Sequence, residues 1–237
     1  MLLMKRRRLL LWTTNMRFIA ISKFLMIFIL PFILVLGVAE FTIFDDKFFQ
    51  REFSEFGVQK DVPQAVSLHE KVINFLKGRT NELPEDFNER EKQHLLDVRN
   101  VIRILTALLY IFVILFASLF VTSARILKAN SLITNFIGKV LVFGGFLAIV
   151  FTAILFFLIS SDFSTTFESF HKIFFEKGTY LFDPAKEIIV RLYPEELFMD
   201  LALKISKGVV LASVIVVMLG LFLRFKPKNK KNKNRGK

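Results

Sequence analysis

The sequence predicts an all-α membrane protein with four transmembrane helices and two outward-facing helical loops that form an interfacial cap. Hydrophobic residues make up 54% of the 237 residues, which is more than a soluble domain of this length carries. Four stretches lack charged side chains for close to the depth of a bilayer, which needs about 20 helical residues. The connections between them alternate between purely basic and mixed charge. These three observations point to one fold class.

The positions of charged residues define the four spans. Residues 104–124 and 140–161 are uncharged and long enough to cross the hydrocarbon core. The first span takes in Lys23, because a lysine can bring its ammonium to the interface along its apolar stem. The order of segments is a basic N-terminus 1–17, TM1 18–39, an outer loop 40–103, TM2 104–124, a connection 125–139, TM3 140–161, an outer loop 162–207, TM4 208–223 and a polybasic tail 224–237.

Charge asymmetry predicts the orientation. The N-terminus, the 125–139 connection and the tail hold about half of the 33 basic residues and none of the 21 acidic ones. The positive-inside rule therefore predicts that both termini are cytoplasmic and that the 40–103 and 162–207 loops lie outside. A basic start before an apolar run is also typical of a signal peptide, but Lys23 and Pro31 interrupt this run and favour a span.

The net charge of +12 does not predict a nucleic-acid partner. A basic tail directly after a span is typical of a topology anchor that touches anionic membrane lipids. The absence of cysteine excludes disulfides, thiolate metal sites and cysteine nucleophiles. No serine elbow, zinc-binding histidine motif or phosphate-binding glycine loop is present, so we expect no cofactor and no metal.

Helix signals recur in the first outer loop. A helix over 65–76 ends at Gly78, a typical C-terminal glycine. Another helix begins near residues 86–88, with Glu89 or Glu91 completing a capping box, and nothing interrupts it before Ala124. An aromatic stripe precedes them and predicts either a helix at the membrane interface or a core face of the outer domain. It contains Phe41, Phe44, Phe48, Phe49, Phe53 and Phe56.

The second outer loop is also predicted to form short helices. Asp162 starts a helix whose stripe carries Phe167, Phe170, His171, Phe174 and Phe175, and Gly178 closes it. Asp183 is predicted to cap a short helix that has Pro184 at its first position. Pro194 is predicted to begin the last helix, with two glutamates in its first turn.

Two of the three histidines flank spans on the outer side. His94 precedes TM2 by about 15 Å of helix, and His171 follows TM3. Asp97 lies three residues after His94 and therefore shares a helical face with it. His69 is predicted to be a packing residue. Arg99 and Arg103 lie one turn apart at the boundary of TM2, where they either hold a phospholipid headgroup or mark the end of the span.

Several blocks resemble a known family. His94-Leu95-Leu96-Asp97-Val98 resembles the H-L/M-x-D-V signature of the bacterial lipoprotein intramolecular transacylases. The second loop is similar to that family in three further blocks, which begin at Phe170, Tyr180 and Leu192 and include Asp183 and Tyr193. The likeness covers roughly residues 20–225. One departure is Tyr180, where Trp is expected to be commoner.

The resemblance implies an acyltransferase of the bacterial cell membrane. The family moves the sn-2 acyl chain of a diacylglyceryl-modified lipoprotein cysteine to the α-amine of that cysteine, which gives the lyso-form lipoprotein. Diacylated lipoproteins are therefore the expected substrates, with no cofactor. We expect His94 to act as general base and acid, oriented by Asp97 or a neighbouring acid, and His171 to position the ester or stabilise the oxyanion.

Tyr180, Asp183 and Tyr193 match motif positions, where they either support the substrate or are structural. An acyl-enzyme is not expected, because the chain has neither a cysteine nor a serine elbow. The alternative hypothesis is a non-enzymatic membrane scaffold or sensor whose outer loops bind a partner. It predicts that both outer histidines are dispensable.

Overall fold

The computed structural model describes residues 2–176 and 178–225, with side chains from Trp12 onward. These residues form helices and no strand, which confirms the predicted all-α class. Residues 226–237 of the predicted polybasic tail, and Met1, lie outside the described residues. The helices are α1 Leu2–Ile43, α2 Asp46–Glu55, α3 Val58–Asp61, α4 Ala65–Leu76, α5 Glu89–Leu127, α6 Asn130–Ser161, α7 Phe163–Phe174, α8 Ile189–Leu192 and α9 Glu195–Phe225.

Four helices are long and apolar enough to cross a membrane by length and composition. They are α1 from Trp12 onward, α5, α6 and α9, and their most apolar windows have mean hydropathies between 2.4 and 2.8. The predicted number of spans is confirmed, although α5 extends well beyond its uncharged stretch. The segment boundaries and their sidedness stay predictions.

The chain divides into two compact units. The first contains the described residues up to Leu34, Ile111–Phe151 and the described residues from Val209 onward. Within it, glycines of α6 allow close helix packing. A Cβ on Gly144 would lie 3.1 Å from the carbonyl oxygen of Ile27, and one on Gly145 would lie 3.1 Å from that of Ser213. Side chains larger than hydrogen would force these helices apart.

The second unit contains Val35–Tyr110 and Thr152–Gly208. Its core is built from α2, α4, the start of α5, α8 and the start of α9. Phe48, Phe49 and Phe53 of α2 are buried in this core, whereas Phe41 remains 81% exposed. The aromatic stripe of the first loop therefore forms chiefly a core face, which decides between the two sequence-based interpretations.

Local signals fixed several helix ends as predicted. Helix α4 spans Ala65–Leu76 and is followed by Gly78 at φ +75°, a left-handed conformation that glycine adopts readily. Helix α5 begins with a reciprocal capping box. The Asn88 N–H donates to Glu91 Oε2 at 2.7 Å, and the Glu91 N–H donates to Asn88 Oδ1 at 3.0 Å. Helix α9 begins at Glu195, directly after Pro194.

The predicted helix after Asp183 was wrong. Asp183 closes a single turn, in which its Oδ1 accepts the Ala185 N–H at 2.9 Å and its carbonyl accepts the Glu187 N–H at 2.8 Å. The turn does not continue as a helix, and the Glu187 carboxylate accepts the Asp183 N–H. The next helix, α8, begins only at Ile189.

Candidate active site

Two imidazole rings from distant parts of the second unit lie face to face. The ring centroids of His94 on α5 and His171 on α7 are 6.3 Å apart, and the ring planes differ by 18°. The convergence that the sequence could only suggest is therefore present. His94 is buried, and His171 is half-buried.

Each histidine sits on a helix with a defined start. The capping box at Asn88 sets the register of α5, so His94 points inward from its second turn. The side chain of Asp162 caps α7 by accepting the Thr165 N–H at 3.0 Å. His171 lies in the last turn of α7, where the helix dipole favours a positive charge.

Aromatic rings surround the pair. Phe175 and Phe182 contact His94 with ring centroids 4.9 and 5.3 Å away. Tyr180 lies 5.1 Å from His171 between centroids, and Phe167 lies 4.3 Å from it. The site is therefore an aromatic cluster that holds two titratable groups, the setting in which burial shifts a pKa most strongly.

His94 is held in its neutral form by its surroundings. Burial and, to a smaller extent, the nearby His171 together lower its pKa to about 4. Among the described residues its Nδ1 has no hydrogen-bond partner. A buried, neutral ring with an unpartnered nitrogen can accept a proton from a group that comes within reach of it.

His171 has a different balance of influences. Burial lowers its pKa, but a hydrogen bond to the Phe167 carbonyl and the carboxylate of Glu195 act in the opposite direction. Its Nδ1 lies 2.8 Å from the Phe167 oxygen, which must accept, so the ring donates from Nδ1. Of the two imidazoles, His171 is therefore the one whose surroundings better tolerate a proton.

A polar clamp holds the second loop against the helix of His94. The Arg90 guanidinium donates to Glu187 Oε1 at 3.1 Å and to the carbonyls of Gly178 and Leu181. The Arg90 Cζ also lies 5.0 Å from the ring centroid of Phe182, the residue that contacts His94. Arg90 is one helical turn before His94, so this clamp links the aromatic wall to the histidine.

Glu91 adds a second, buried link. Its Oε1 accepts the Ile189 N–H at 2.8 Å while its Oε2 completes the capping box. Sequence reasoning identified Glu91 only as a possible cap, and it missed Arg90 and Glu187 altogether. No local signal identifies them, because their partners lie about 90 residues away in the chain.

Two of the candidate support residues, Asp97 and Asp183, form their hydrogen bonds away from the histidine pair. Asp97 accepts a hydrogen bond from Gln93 at 3.1 Å, and no hydrogen bond joins it to His94 among the described residues. The reason is local, since Gln93 lies four residues before Asp97 on the same face. Asp183 is exposed and closes the turn described above.

Tyr193 belongs to another cluster. Its hydroxyl lies 3.0 Å from His69 Nδ1, and its ring packs against Phe49, Phe53 and Phe198. Burial raises its pKa. The prediction that His69 is a packing residue agrees with its place in this core, where it is 3% exposed. Of the predicted support residues, only Tyr180 contacts a histidine of the pair through its ring.

In the described part of the chain, no three His, Asp or Glu side chains converge as a metal site would require. The polar groups at the site include the two imidazoles, the Tyr180 hydroxyl, the Glu195 carboxylate near His171 and the main-chain groups around them. This set can move protons and donate hydrogen bonds, and it offers the kind of environment in which acyl transfer is assisted by general acid–base catalysis.

The chain is similar to one protein family and to several solved structures. The family described as "Lipoprotein intramolecular transacylase Lit" matches residues 24–198. A sequence search of curated proteins finds no match. Among solved structures, the in meso structure of the integral membrane lipoprotein intramolecular transacylase Lit from Bacillus cereus superposes with a TM-score of 0.76 at 20% identity, covering 86% of this chain and 95% of that one.

Two variants of the same Bacillus cereus protein are also similar. One carries a histidine-to-arginine substitution and has a TM-score of 0.74 at 20% identity, with 92% of this chain and 96% of that one covered. The other carries a histidine-to-alanine substitution and has a TM-score of 0.73 at 20% identity, with 90% and 96% covered. At this identity the likeness establishes the fold, and the predicted resemblance to the family is confirmed by the family match.

Proposed function

The chain belongs to the lipoprotein intramolecular transacylase family, and from this premise we propose that His94 and His171 carry out the proton chemistry of an acyl transfer within one lipoprotein molecule. The observation that carries the proposal is the pair of nearly parallel imidazoles, whose centroids lie 6.3 Å apart inside an aromatic cluster. The substrate would be a diacylated bacterial lipoprotein held at the membrane.

The reaction needs one bond to form and one to break. The α-amine of the lipoprotein cysteine attacks the carbonyl carbon of the sn-2 ester, and an N–C bond forms. The ester C–O bond then breaks, so that the amine loses a proton and the glycerol oxygen gains one. Amine and ester belong to one molecule, so the enzyme contributes mainly by holding them in a reactive geometry.

His94 would move the proton. Because burial lowers its pKa to about 4, the ring is unprotonated at neutral pH and can accept the proton that the amine sheds. The imidazolium formed in this apolar pocket is strongly acidic, so it would pass the proton to the departing glycerol oxygen. General acid–base assistance of this kind accelerates a reaction by about 10²- to 10⁴-fold.

His171 would stabilise the oxyanion. When protonated, it can keep its Nδ1 bond to the Phe167 carbonyl and donate from Nε2 to the developing negative charge. A charge on His171 also lowers the pKa of His94, so a proton taken up by His94 would be passed on readily to the glycerol oxygen.

Apolar side chains beside the pair suit the acyl chains of such a substrate. Phe170, Ile173 and Phe174 of α7 are all exposed next to His171, with Ile173 75% exposed. Exposed aromatic and aliphatic side chains are stable in contact with lipid. Tyr180, whose ring contacts His171, would limit access of water to the reacting atoms, a role that the commoner Trp could fill equally.

We infer that the site works at the outer leaflet. The basic flanks of the spans favour cytoplasmic termini, which would put α7 and the start of α5 outside. Reporter fusions after Thr80 and after Lys186 test this inference. Activity of a periplasmic or extracellular reporter is expected at both sites, and activity of a cytosolic reporter at either one would contradict it.

The catalytic proposal is tested with purified protein and a synthetic diacylated lipopeptide. Mass spectrometry of the product should show unchanged total mass, with one acyl chain moved from glycerol to the α-amine. His94→Ala should form this product at least 100-fold more slowly. Lys92→Ala, a half-buried neighbour on the same helix, is the matched control and should react as the wild type does.

Three results would point elsewhere. Product formation at wild-type rate by His94→Ala would remove His94 from the mechanism. No conversion by the folded wild-type protein would favour a scaffold or sensor. Acyl transfer between phospholipids without lipopeptide would keep the enzyme class but change the acceptor.

A further inference from the structure

Arg99 is a buried cation without a carboxylate partner. Only 5% of it is exposed, so it does not extend into solvent as a charge that merely ends a span would. Its Nη1 and Nη2 both donate to Asn81 Oδ1, at 3.1 and 3.2 Å, and its Cζ lies 4.6 Å from the ring centroid of Phe75. A neutral amide and an aromatic face balance the charge only in part.

A second guanidinium approaches the same place. A Cβ added to Gly78 would lie 3.3 Å from Arg99 Nη2 and 3.6 Å from Arg103 Nη2, so the two groups flank one point beside the glycine. Gly78 has φ +75°, which follows from its position at the end of α4. The chain thus brings two cations within reach of one point, next to a residue that has no side chain of its own.

The local charge is not compensated within the described residues. None of Lys77, Arg79, Arg99 and Arg103 forms an ion pair with a carboxylate there, whereas Arg51, Arg90, Lys92, Lys172, Lys186 and Lys204 all do. Two neighbouring guanidinium groups repel each other unless an anion lies between them. The forked donors of arginine match the oxygens of a phosphate group.

The position along α5 is that of lipid headgroups. Arg103 directly precedes the uncharged stretch that starts at Ile104, and Arg99 lies about 6 Å further along the helix. The headgroup layer on each side of a bilayer is about 5 to 8 Å thick. We propose that Arg99 and Arg103, with Gly78 between them, bind a phosphate group, either that of a phospholipid headgroup or free phosphate.

This site is separate from the acyl transfer proposed above, because the lipoprotein lipid carries no phosphate. The test uses native mass spectrometry of the purified full chain in detergent with dioleoylphosphatidylglycerol, and with dioleoylglycerol as the matched lipid without phosphate. One phosphatidylglycerol should be retained by the wild type. Arg103→Gln should weaken this retention about tenfold, and Arg99→Gln at least as much. Dioleoylglycerol should show no difference between variants.

Inorganic phosphate distinguishes the two sources. Displacement of the lipid by millimolar phosphate would mean that the site takes the free anion, whereas resistance to displacement would mean that it holds a lipid headgroup. Arg125→Gln, at the far end of the same helix, should retain the lipid as the wild type does. Equal retention by Arg103→Gln and the wild type would overturn the proposal.

Arg103 is exposed, so its substitution tests the site even if Arg99→Gln does not fold. Transfer within the lipopeptide in phospholipid-free detergent should be unchanged in Arg103→Gln. Failure of the phosphate site and failure of the catalytic proposal can therefore be told apart.

Discussion

Two clusters of aromatic residues in the second unit each contain a buried histidine, and they differ in what the imidazole meets. The Nδ1 of His69 lies 3.0 Å from the Tyr193 hydroxyl within a closed core. The Nδ1 of His94 has no partner among the described residues, and its ring faces a second imidazole. Burial lowers the pKa of both histidines to about 4. The shift alone therefore does not separate a packing histidine from one that is available for chemistry.

The two histidines differ in whether a second imidazole lies beside them. His69 is surrounded by Phe49, Phe53 and Tyr193, all of which belong to the core of the unit. His94 contacts Phe175 and Phe182, from the loop that also carries His171. Each of the two histidines keeps one ring nitrogen without a hydrogen-bond partner among the described residues, but only the site of His94 brings two proton carriers together beside exposed apolar side chains. Each prediction below tests whether this contrast holds.

The largest effect is expected at His171. His171→Ala should lower the turnover number for the lipopeptide about 10²- to 10³-fold, because one oxyanion donor is lost. His171→Gln should lose less of the turnover number, because the amide can still donate a hydrogen bond. At His94, Gln and Ala should lower the turnover number equally, because neither side chain can accept a proton and release it again. Initial rates measured by mass spectrometry check this. Equal losses for Ala and Gln at His171 would contradict its assignment as a donor.

The second effect concerns pH and stability at His69. Its folded-state pKa of about 4 lies below the ordinary 6.5, so the unfolded chain binds a proton first as the pH falls. The free energy of unfolding should therefore drop between pH 7 and pH 5, by about 2 kcal/mol from this histidine and by a similar amount from His94. Melting curves in detergent should show a smaller drop for His69→Phe, with transfer activity per folded molecule unchanged.

That prediction has a clear counter-result. The same fall in melting temperature for His69→Phe and the wild type would mean that His69 is not held neutral by burial. Loss of activity in the folded variant at pH 7 would instead bring His69 into the chemistry and erase the contrast between the clusters.

A third effect is expected at Arg90, which acts through the aromatic wall. Arg90→Gln removes the ion pair with Glu187 and weakens the hold on Gly178 and Leu181, so Phe182 is less firmly placed against His94. We expect the turnover number to fall about tenfold with KM little changed. Arg90→Lys should recover part of it. A rise in KM of about tenfold, with no fall in the turnover number, would assign the clamp to substrate binding instead.

The smallest effect is expected at Tyr193. Tyr193→Phe removes one hydrogen bond to His69 and should lower the free energy of unfolding by about 1 kcal/mol. Activity per folded molecule should stay at the wild-type level, although the position matches a motif of the family. A large loss of activity without loss of stability would show that Tyr193 serves the reaction.

Local signals were enough to predict much of the fold. Gly78 ends α4, and Asn88 with Glu91 starts α5, because caps and turn residues act within a few positions of each other. The four apolar helices follow from charge-free length. Asp183 shows the limit of such signals. It looked like the cap of a helix, but only a single turn follows it, and the Glu187 carboxylate that accepts its N–H is itself held by Arg90.

The candidate site was predictable only in part. The family resemblance and the shared flanking position suggested that His94 and His171 meet, but no spacing rule brings residues of two helices together. The predicted role of Asp97 rested on a shared helical face, and Gln93 occupies its carboxylate instead. Arg90 and Glu187 were missed because a contact across about 90 residues is decided by tertiary packing.

The central claim is that the two imidazoles act as a unit, and a double-mutant cycle tests it most directly. The rate of N-acyl product formation would be measured for the wild type, His94→Ala, His171→Ala and the double variant, each confirmed to be folded. If the pair acts together, the double variant should be no more than about threefold slower than the slower single variant. Single-variant losses that multiply in the double variant would contradict the claim.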